Sequence, residues 1–517
     1  MRHCEPGFTS GWKQRNAGIV LTVIEPASTM QPLPAGSSAD EPTFHIETLG
    51  CRVNQYDEEM LRREFSSQGF REVAFEEHPD VHVINTCTVT SVADKKSRQL
   101  IRRALRANPH ARVIATGCAV GNRAALGGDL SGRVITVSNR QKDRLIDVVC
   151  ATFPDHHARD ESSIKEGSTQ HRARALLKVQ DGCNQFCTFC IVPFVRGRAR
   201  SKPPNEVLTE ARALVAAGFA EIVVTGVHVG WYGRDLDENG CIVDRATPSD
   251  GPAPTGTTFP WHLGRLMRLL AEQSGAPRLR LSSIEPADFP PDLLDTMVEL
   301  GNICPHLHLA LQHASDTILD RMHRGYTLAH HDALVDAFLS RFPDGALTAD
   351  ILVGFPGETD ADFAILERYL QSRPYAHLHV FPYSKRPGTQ ASRLPDPVDA
   401  ALLAHRMERV LSIGREAENS FRRRFVGRRV SVLVEEASGG TCRGTSDNYL
   451  GLTFDGPNDL LGRIVTVRAT AVTPSGLSAV LEDSQHNLED FSDGQGIPRR
   501  LRAERRSAAG ARVWPTG

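Results

Sequence analysis

Three cysteines stand at i, i+4 and i+7 in Asp181-Gly-Cys-Asn-Gln-Phe-Cys-Thr-Phe-Cys190, directly after an apolar run that reads as a strand. Thiolates are the ligands that iron–sulfur clusters prefer, and three of them on a four-iron cluster leave one iron open. A zinc loop usually brings a fourth Cys or His at matching distance, and none stands near Cys183, Cys187 and Cys190. A second candidate set is Cys51, Cys87 and Cys118, each one or two positions past a short apolar or β-branched run. In a parallel α/β sheet the loops at the strands' carboxyl ends gather into one crevice, so cysteines far apart in sequence meet in space. Taken singly, each is more simply a buried core thiol; the joint pattern is that of a metal site. Cys4, Cys150, Cys241, Cys304 and Cys442 read as isolated structural cysteines.

Positioning these groups takes three domains, the number expected for 517 residues at typical domain sizes. Strands at 44–50, 81–85 and 112–115, with a basic helix at 93–107, predict an N-terminal parallel α/β domain over 44–154. A polar linker follows at 155–172. Six strand–helix repeats, with strands at 175–179, 221–225, 278–282, 306–310, 346–353 and 377–381, predict an incomplete (β/α)6 barrel over 173–412. Chemistry in such a barrel sits at the strand C-termini. The Asp/Gly/Pro/Thr-rich text at 236–260 reads as a surface insertion. A helical run at 395–425, then strands at 430–435 and 464–470 around Gly-rich turns, predict a small antiparallel β barrel over 413–483. Residues 1–43 and 484–517 read as a disordered extension, with Met30 an alternative start, and a disordered Arg-rich tail.

Apolar residues make up 40% and charged residues 24%, the profile of an ordinary globular protein. The net charge of -2 provides no overall attraction to nucleic acid, so any basic surface must be local. No apolar run approaches the roughly 20 residues of a membrane span, and the amino end lacks a signal peptide's form. A cytoplasmic protein is expected, where disulfides are rare.

The stretch 179–201, Val-Gln-Asp-Gly-Cys-Asn-Gln-Phe-Cys-Thr-Phe-Cys-Ile-Val-Pro-Phe-Val-Arg-Gly-Arg-Ala-Arg-Ser, resembles the radical S-adenosylmethionine (SAM) core of the methylthiotransferases. Thr48-Leu-Gly-Cys-Arg-Val-Asn-Gln55 is similar to that family's N-terminal signature, and Asn85-Thr-Cys-Thr-Val-Thr90 and Thr116-Gly-Cys118 to its other cluster loops. The C-terminal barrel resembles a TRAM domain, an RNA-binding module. The resemblance covers about 43–482. Its TLGCxVNQ wording resembles the MtaB branch, which acts on N6-threonylcarbamoyladenosine beside the tRNA anticodon. The branches acting on isopentenyladenosine in tRNA or on a ribosomal protein aspartate are the alternatives. A non-enzymatic iron–sulfur RNA-binding or electron-transfer protein predicts four-ligand clusters instead. Departures from the family pattern are the insertion, both termini, and Gln312-His313-Ala314 where Gln-Ser-Gly is expected.

The resemblance implies two [4Fe-4S] clusters, one on Cys183, Cys187 and Cys190 and one on Cys51, Cys87 and Cys118. The first, once reduced, cleaves SAM to a deoxyadenosyl radical that takes hydrogen from C2 of the target adenine. The second carries the sulfur or methylthio group to that carbon, and a second SAM supplies the methyl. Thr225 and Gly226 match the family's contact to the SAM amino group. Ser283, Glu285, Gln312 and Asp350 follow or end later strands, where they either hydrogen-bond SAM or simply shape turns. Arg196, Arg198, Arg200 and Lys202 are candidates for the phosphates of the tRNA anticodon stem-loop. Arg422, Arg423, Arg424, Arg428, Arg429, Arg443 and Arg463 form a second basic candidate, with Tyr449 and Phe454 either stacking on bases or filling the core. An electron donor such as flavodoxin or ferredoxin is implied; the sulfur donor stays open.

Overall fold

The computed structural model describes residues 41–126, 133–153, 173–243 and 259–482. The expected linker and tail, nearly all of the amino extension and most of the insertion lie outside these residues.

The N-terminal domain is a five-stranded parallel sheet in the order β2-β1-β3-β4-β5: β1 Thr43–Thr48, β2 Arg71–Glu72, β3 Val81–Thr86, β4 Arg112–Gly117 and β5 Val134–Thr136. Every residue of β3 is buried, as expected for a central parallel strand covered on both faces. Helix α1 (Arg52–Ser67) follows β1, and α2 (Ser91–Ala107) follows β3. The Thr90 hydroxyl caps α2 by accepting from Ala93 N at 3.1 Å, while Ile101 and Ala104 anchor its buried stripe.

The central domain is a half-barrel of six parallel strands: β6 Arg174–Asp181, β8 Glu221–Gly226, β9 Arg278–Leu281, β10 His306–Gln312, β11 Ala346–Val353 and β12 Tyr375–Pro382. A short β7 (Arg200–Ser201) pairs antiparallel with the end of β6. The two halves meet through bridges Leu279–Ile303 and Ile284–Leu309 rather than a full ladder. Alternate residues of the strands pack outward into one helix-covered core.

The C-terminal domain is a closed five-stranded barrel, β13 Arg429–Ser438, β14 Thr441–Ser446, β15 Gly451–Asp455, β16 Ile464–Thr473 and β17 Gly476–Leu481. It departs from the antiparallel expectation at one seam, where β15 and β17 run parallel. Two further expectations need correcting. The Ala400–Arg423 helix is continuous across the predicted 412/413 boundary and packs on β12, so it belongs to both domains. The start of the insertion is not surface, because Leu236 is fully buried against the barrel core.

The domains are riveted together by buried charge. Glu221, at the foot of β8, accepts from Arg280 Nε at 2.7 Å and Nη2 at 3.1 Å. Arg280 also donates to Ser446 O at 2.8 Å and Asp447 O at 3.1 Å, which holds the C-terminal barrel under the central one.

Candidate active site: two facing cysteine sets

Each N-terminal cysteine sits where a parallel strand ends. Cys51 and Cys118 directly follow glycines whose φ angles, 102° for Gly50 and 90° for Gly117, lie in the left-handed region. A Cβ on Gly50 would come 2.9 Å from Cys87 Sγ, and one on Gly117 would strike Thr86 O. Glycine is thus required twice, for backbone direction and for the close approach of neighbouring cysteine loops. Cys87 and Cys118 are buried and Cys51 is exposed. Burial pushes the Cys87 thiol up to about 11, and the proximity of Cys118 and Cys51 pushes the same way.

Asn54 ties these loops to one another. Its Nδ2 donates to Leu49 O at 2.6 Å, ahead of Cys51, and to Thr86 O at 3.0 Å, ahead of Cys87. Its Oδ1 accepts from Arg196 Nη2 at 2.5 Å. Arg196 comes from the Val192–Arg196 helix just after Cys190, and also grips Asp181 at 3.0 Å and Asp57 at 3.2 Å. Lys142 and Lys178 reach the Asp57 carboxylate at 2.8 and 2.6 Å. Although burial opposes it, these three cations hold Asp57 well below the usual carboxylate range.

This network corrects the expectation that Arg196 offers its charge to phosphates. Its side chain is only 2% exposed and fully engaged inside the molecule. Lys202 is likewise bound, to Glu210 at 2.5 Å and the Tyr56 hydroxyl at 3.1 Å. Arg198 and Arg200 are exposed, with the Arg198 guanidinium 5.3 Å from the Phe186 ring centroid.

Cys183, Cys187 and Cys190 leave β6 in one loop. Gln185 N donates to Cys183 Sγ at 3.4 Å, and Arg324 Nη1 donates to Cys187 Sγ at 3.2 Å. Burial pushes all three thiols up, Cys190 to about 12. Cys118 packs against Ile191 and Val195, immediately after Cys190, so the two sets face each other across a thin apolar seam. Every cysteine among the described residues is a free thiol.

The donor chemistry fits iron–sulfur clusters. The thiols of Cys87, Cys183, Cys187 and Cys190, which burial makes reluctant to ionise, need a bound cation to draw off their protons, and each set presents three cysteines in all. Among the described residues, no three Cys, His, Asp or Glu groups converge closely enough for one metal ion.

Beside Cys183, Cys187 and Cys190, the strand ends form a small pocket lined by Val227, His228, Ser283, Ile284, Glu285 and Ala310. Thr225 is buried at the end of β8, and Gly226 follows, where a Cβ would meet Gln180 at 2.9 Å. Ser283 is exposed at the pocket rim. Glu285 lies inside, ion-paired with Arg324; burial pushes its carboxyl up to about 7 against the pull of that guanidinium. Gln312 closes β10 with a left-handed φ of 62°. Asp350 departs from expectation: it lies inside β11 rather than at its end, 3.2 Å from His308. Phe454 is core; Tyr449 stacks on His306, 4.4 Å between ring centroids.

Sequence reasoning missed Arg324, which touches both Cys187 and Glu285, and His228, held neutral near 4 by burial. Neither carries a spacing signal: His228 stands in the loop after β8, and Arg324 in the loop after the Asp316–Arg321 helix. Asn54 stood inside the N-terminal signature as a quoted residue with no role.

Residues 43–126 match UPF0004, described as an uncharacterized protein family, and residues 177–370 match the Radical SAM superfamily. The chain is 34% identical over 442 residues to the threonylcarbamoyladenosine tRNA methylthiotransferase MtaB of Bacillus subtilis (strain 168), covering 82% of this chain and 93% of that one. It is 32% identical to the MtaB of Aquifex aeolicus (strain VF5), covering 82% and 98%. It is 33% identical to the tRNA-2-methylthio-N(6)-dimethylallyladenosine synthase of Moorella thermoacetica, covering 83% and 96%. With both matched segments in order, and with near-complete coverage of such relatives, the chain belongs to the radical SAM methylthiotransferase family, as an MtaB-like member that uses SAM and [4Fe-4S] clusters.

Proposed function

We propose that this enzyme adds a methylthio group to C2 of N6-threonylcarbamoyladenosine beside the tRNA anticodon. The observation that carries the reading is the pair of three-cysteine sets facing each other across the Ile191/Val195 seam. In this reading Cys183, Cys187 and Cys190 hold one cluster, and Cys51, Cys87 and Cys118 hold the other. The bound clusters and SAM supply radical chemistry at an unactivated carbon and a sulfur to place there.

The chain's own residues do the arranging. Arg324 donates to Cys187 Sγ and holds Glu285 at the pocket floor. Hydrogen bonds of this kind to a cluster sulfur tune its potential and fix its ligand. Thr225, Gly226, Ser283 and Glu285 line or border the pocket where SAM's polar groups are taken up. Gln180 ties β6 to that pocket by accepting from His228 N at 2.8 Å. Asn54 and Arg196 keep the two sets in register, because a methylthio group must travel from one set to a carbon activated beside the other.

The tRNA is held by exposed Arg198 and Arg200 and by the C-terminal barrel. A low-potential electron donor of the flavodoxin or ferredoxin kind delivers the reducing electrons. No described helix is long and apolar enough to cross a membrane.

The test is turnover of reconstituted protein with SAM, dithionite, sulfide and an anticodon stem-loop carrying threonylcarbamoyladenosine. The expected product carries the methylthio group on that nucleoside. Modification only of an isopentenyladenosine stem-loop would overturn the assignment.

A further inference from the structure

The inner face of the half-barrel carries a polar patch that neither cysteine set uses. On β10 to β12, Leu307, Leu309, Ala349 and Leu378 point into the helix-covered core. Alternation therefore turns His306, His308, Asp350, His377 and His379 into the lumen. His379 is the register partner of Asp350. His308 stacks on His379 with centroids 5.2 Å apart, and His377 meets His379 edge-on at 4.5 Å.

Both other domains complete this patch. Arg52, the residue after Cys51, donates to the Tyr449 hydroxyl at 3.2 Å, and Tyr449 rests on His306. Two buried nitrogens here have no well-directed hydrogen-bond partner: His308 Nε2, despite Asp350 at 3.2 Å, and His306 Nδ1. Burial, with His308, His377 and Arg52 nearby and Asp350 opposing, holds His379 neutral near 4. The patch thus gathers the Arg52 guanidinium, the Asp350 carboxylate and the imidazoles of His306, His308 and His379, with Glu418 3.5 Å from His377 at its edge.

We infer that this patch is the subsite for the substituent on the substrate adenosine, with Arg52 taking a carboxylate and His308, His379 and Asp350 bonding hydroxyl and ureido groups. The inference rests on the tRNA reading above and sharpens it. A threonylcarbamoyl group has one carboxylate, one hydroxyl and a urea-like linkage, whereas an isopentenyl group has no hydrogen-bonding atom. A site built from polar groups rejects an apolar analogue because its own donors and acceptors are left stranded. Arg52 directly follows Cys51, so a substituent held by its guanidinium keeps the attached base beside the N-terminal cysteine set.

The experiment is fluorescence anisotropy with cluster-loaded full-length protein and three labelled anticodon stem-loops. These carry threonylcarbamoyladenosine, isopentenyladenosine or unmodified adenosine at one position. Wild type is expected to prefer the first, and Arg52→Met and His379→Phe to lose that preference by about tenfold or more. Their affinity for the unmodified stem-loop is expected to stay unchanged, and Arg52→Lys to retain the preference. Iron content is measured to check that Arg52→Met still loads its clusters, and His379 lies on β12, outside the cysteine loops. Variants that bind all three stem-loops as wild type does, or lose all three equally, would overturn the inference. Methylthiolation of the threonylcarbamoyladenosine stem-loop by wild type tests the underlying reading separately.

Discussion

The two cysteine sets solve one chemical problem in opposite ways. Cys183, Cys187 and Cys190 come from a single loop, so their spacing is written in eight consecutive residues. Cys51, Cys87 and Cys118 come from three strand ends and depend on the whole sheet to meet. The local set needs little beyond its own loop and one guanidinium, Arg324. The dispersed set needs two left-handed glycines, the Asn54 clasp and a buried ion network reaching into the barrel. The lesson is that the dispersed set, though equally simple in composition, is the one through which the domains are coupled.

Substitutions that strike one set at a time separate these roles. Cys187→Ala is expected to abolish deoxyadenosine release from SAM while the N-terminal set still loads iron. Deoxyadenosine measured by chromatography at the wild-type level would refute the radical assignment of that loop. Cys118→Ala is the converse: SAM cleavage persists but no methylthio product forms, read by nucleoside mass spectrometry alongside iron content.

Arg196→Met tests the coupling. It removes one of three cations from Asp57 and one of two from Asp181, and because Lys142 and Lys178 remain it should cost less than the roughly 3–5 kcal/mol of a fully stranded buried charge. The melting temperature should fall, and the N-terminal set should lose iron before the loop set does. Equal loss from both would show that the network does not serve the dispersed set.

Acid should weaken both regions together. His82 in the N-terminal sheet and His228 and His331 in the barrel are each held by burial at about 4, below the unfolded value of about 6.5. A depressed folded pKa contributes stability above the unfolded value that is lost as pH falls toward the folded one. Denaturant midpoints are therefore expected to drop between about pH 6.5 and 4, and His228→Gln to flatten the slope. The smallest effect is Arg200→Ala, which should leave stability intact and lower the salt slope of tRNA binding by about one phosphate contact.

Much of this was legible in the sequence because strands announce themselves by apolar runs that end in Gly-Cys or Thr-Cys. The six barrel strands and the basic helix predicted at 93–107 fall where periodicity places them. The C-terminal barrel was only half visible: Thr441–Ser446 and Gly451–Asp455 are short and rich in Gly, Thr and Ser, which read as turns. Arg196 was misread for a different reason. Whether an arginine meets solvent is decided by its partners, and Asn54 and Asp57 lie 142 and 139 residues away. Asp350 was taken for a strand-end residue, yet β11 continues three residues beyond it, to Val353.

The central claim is tested most directly by mass spectrometry of tRNA nucleosides from a strain lacking the gene. The account predicts loss of the methylthio group from threonylcarbamoyladenosine, with isopentenyladenosine still methylthiolated. The reverse pattern would contradict it.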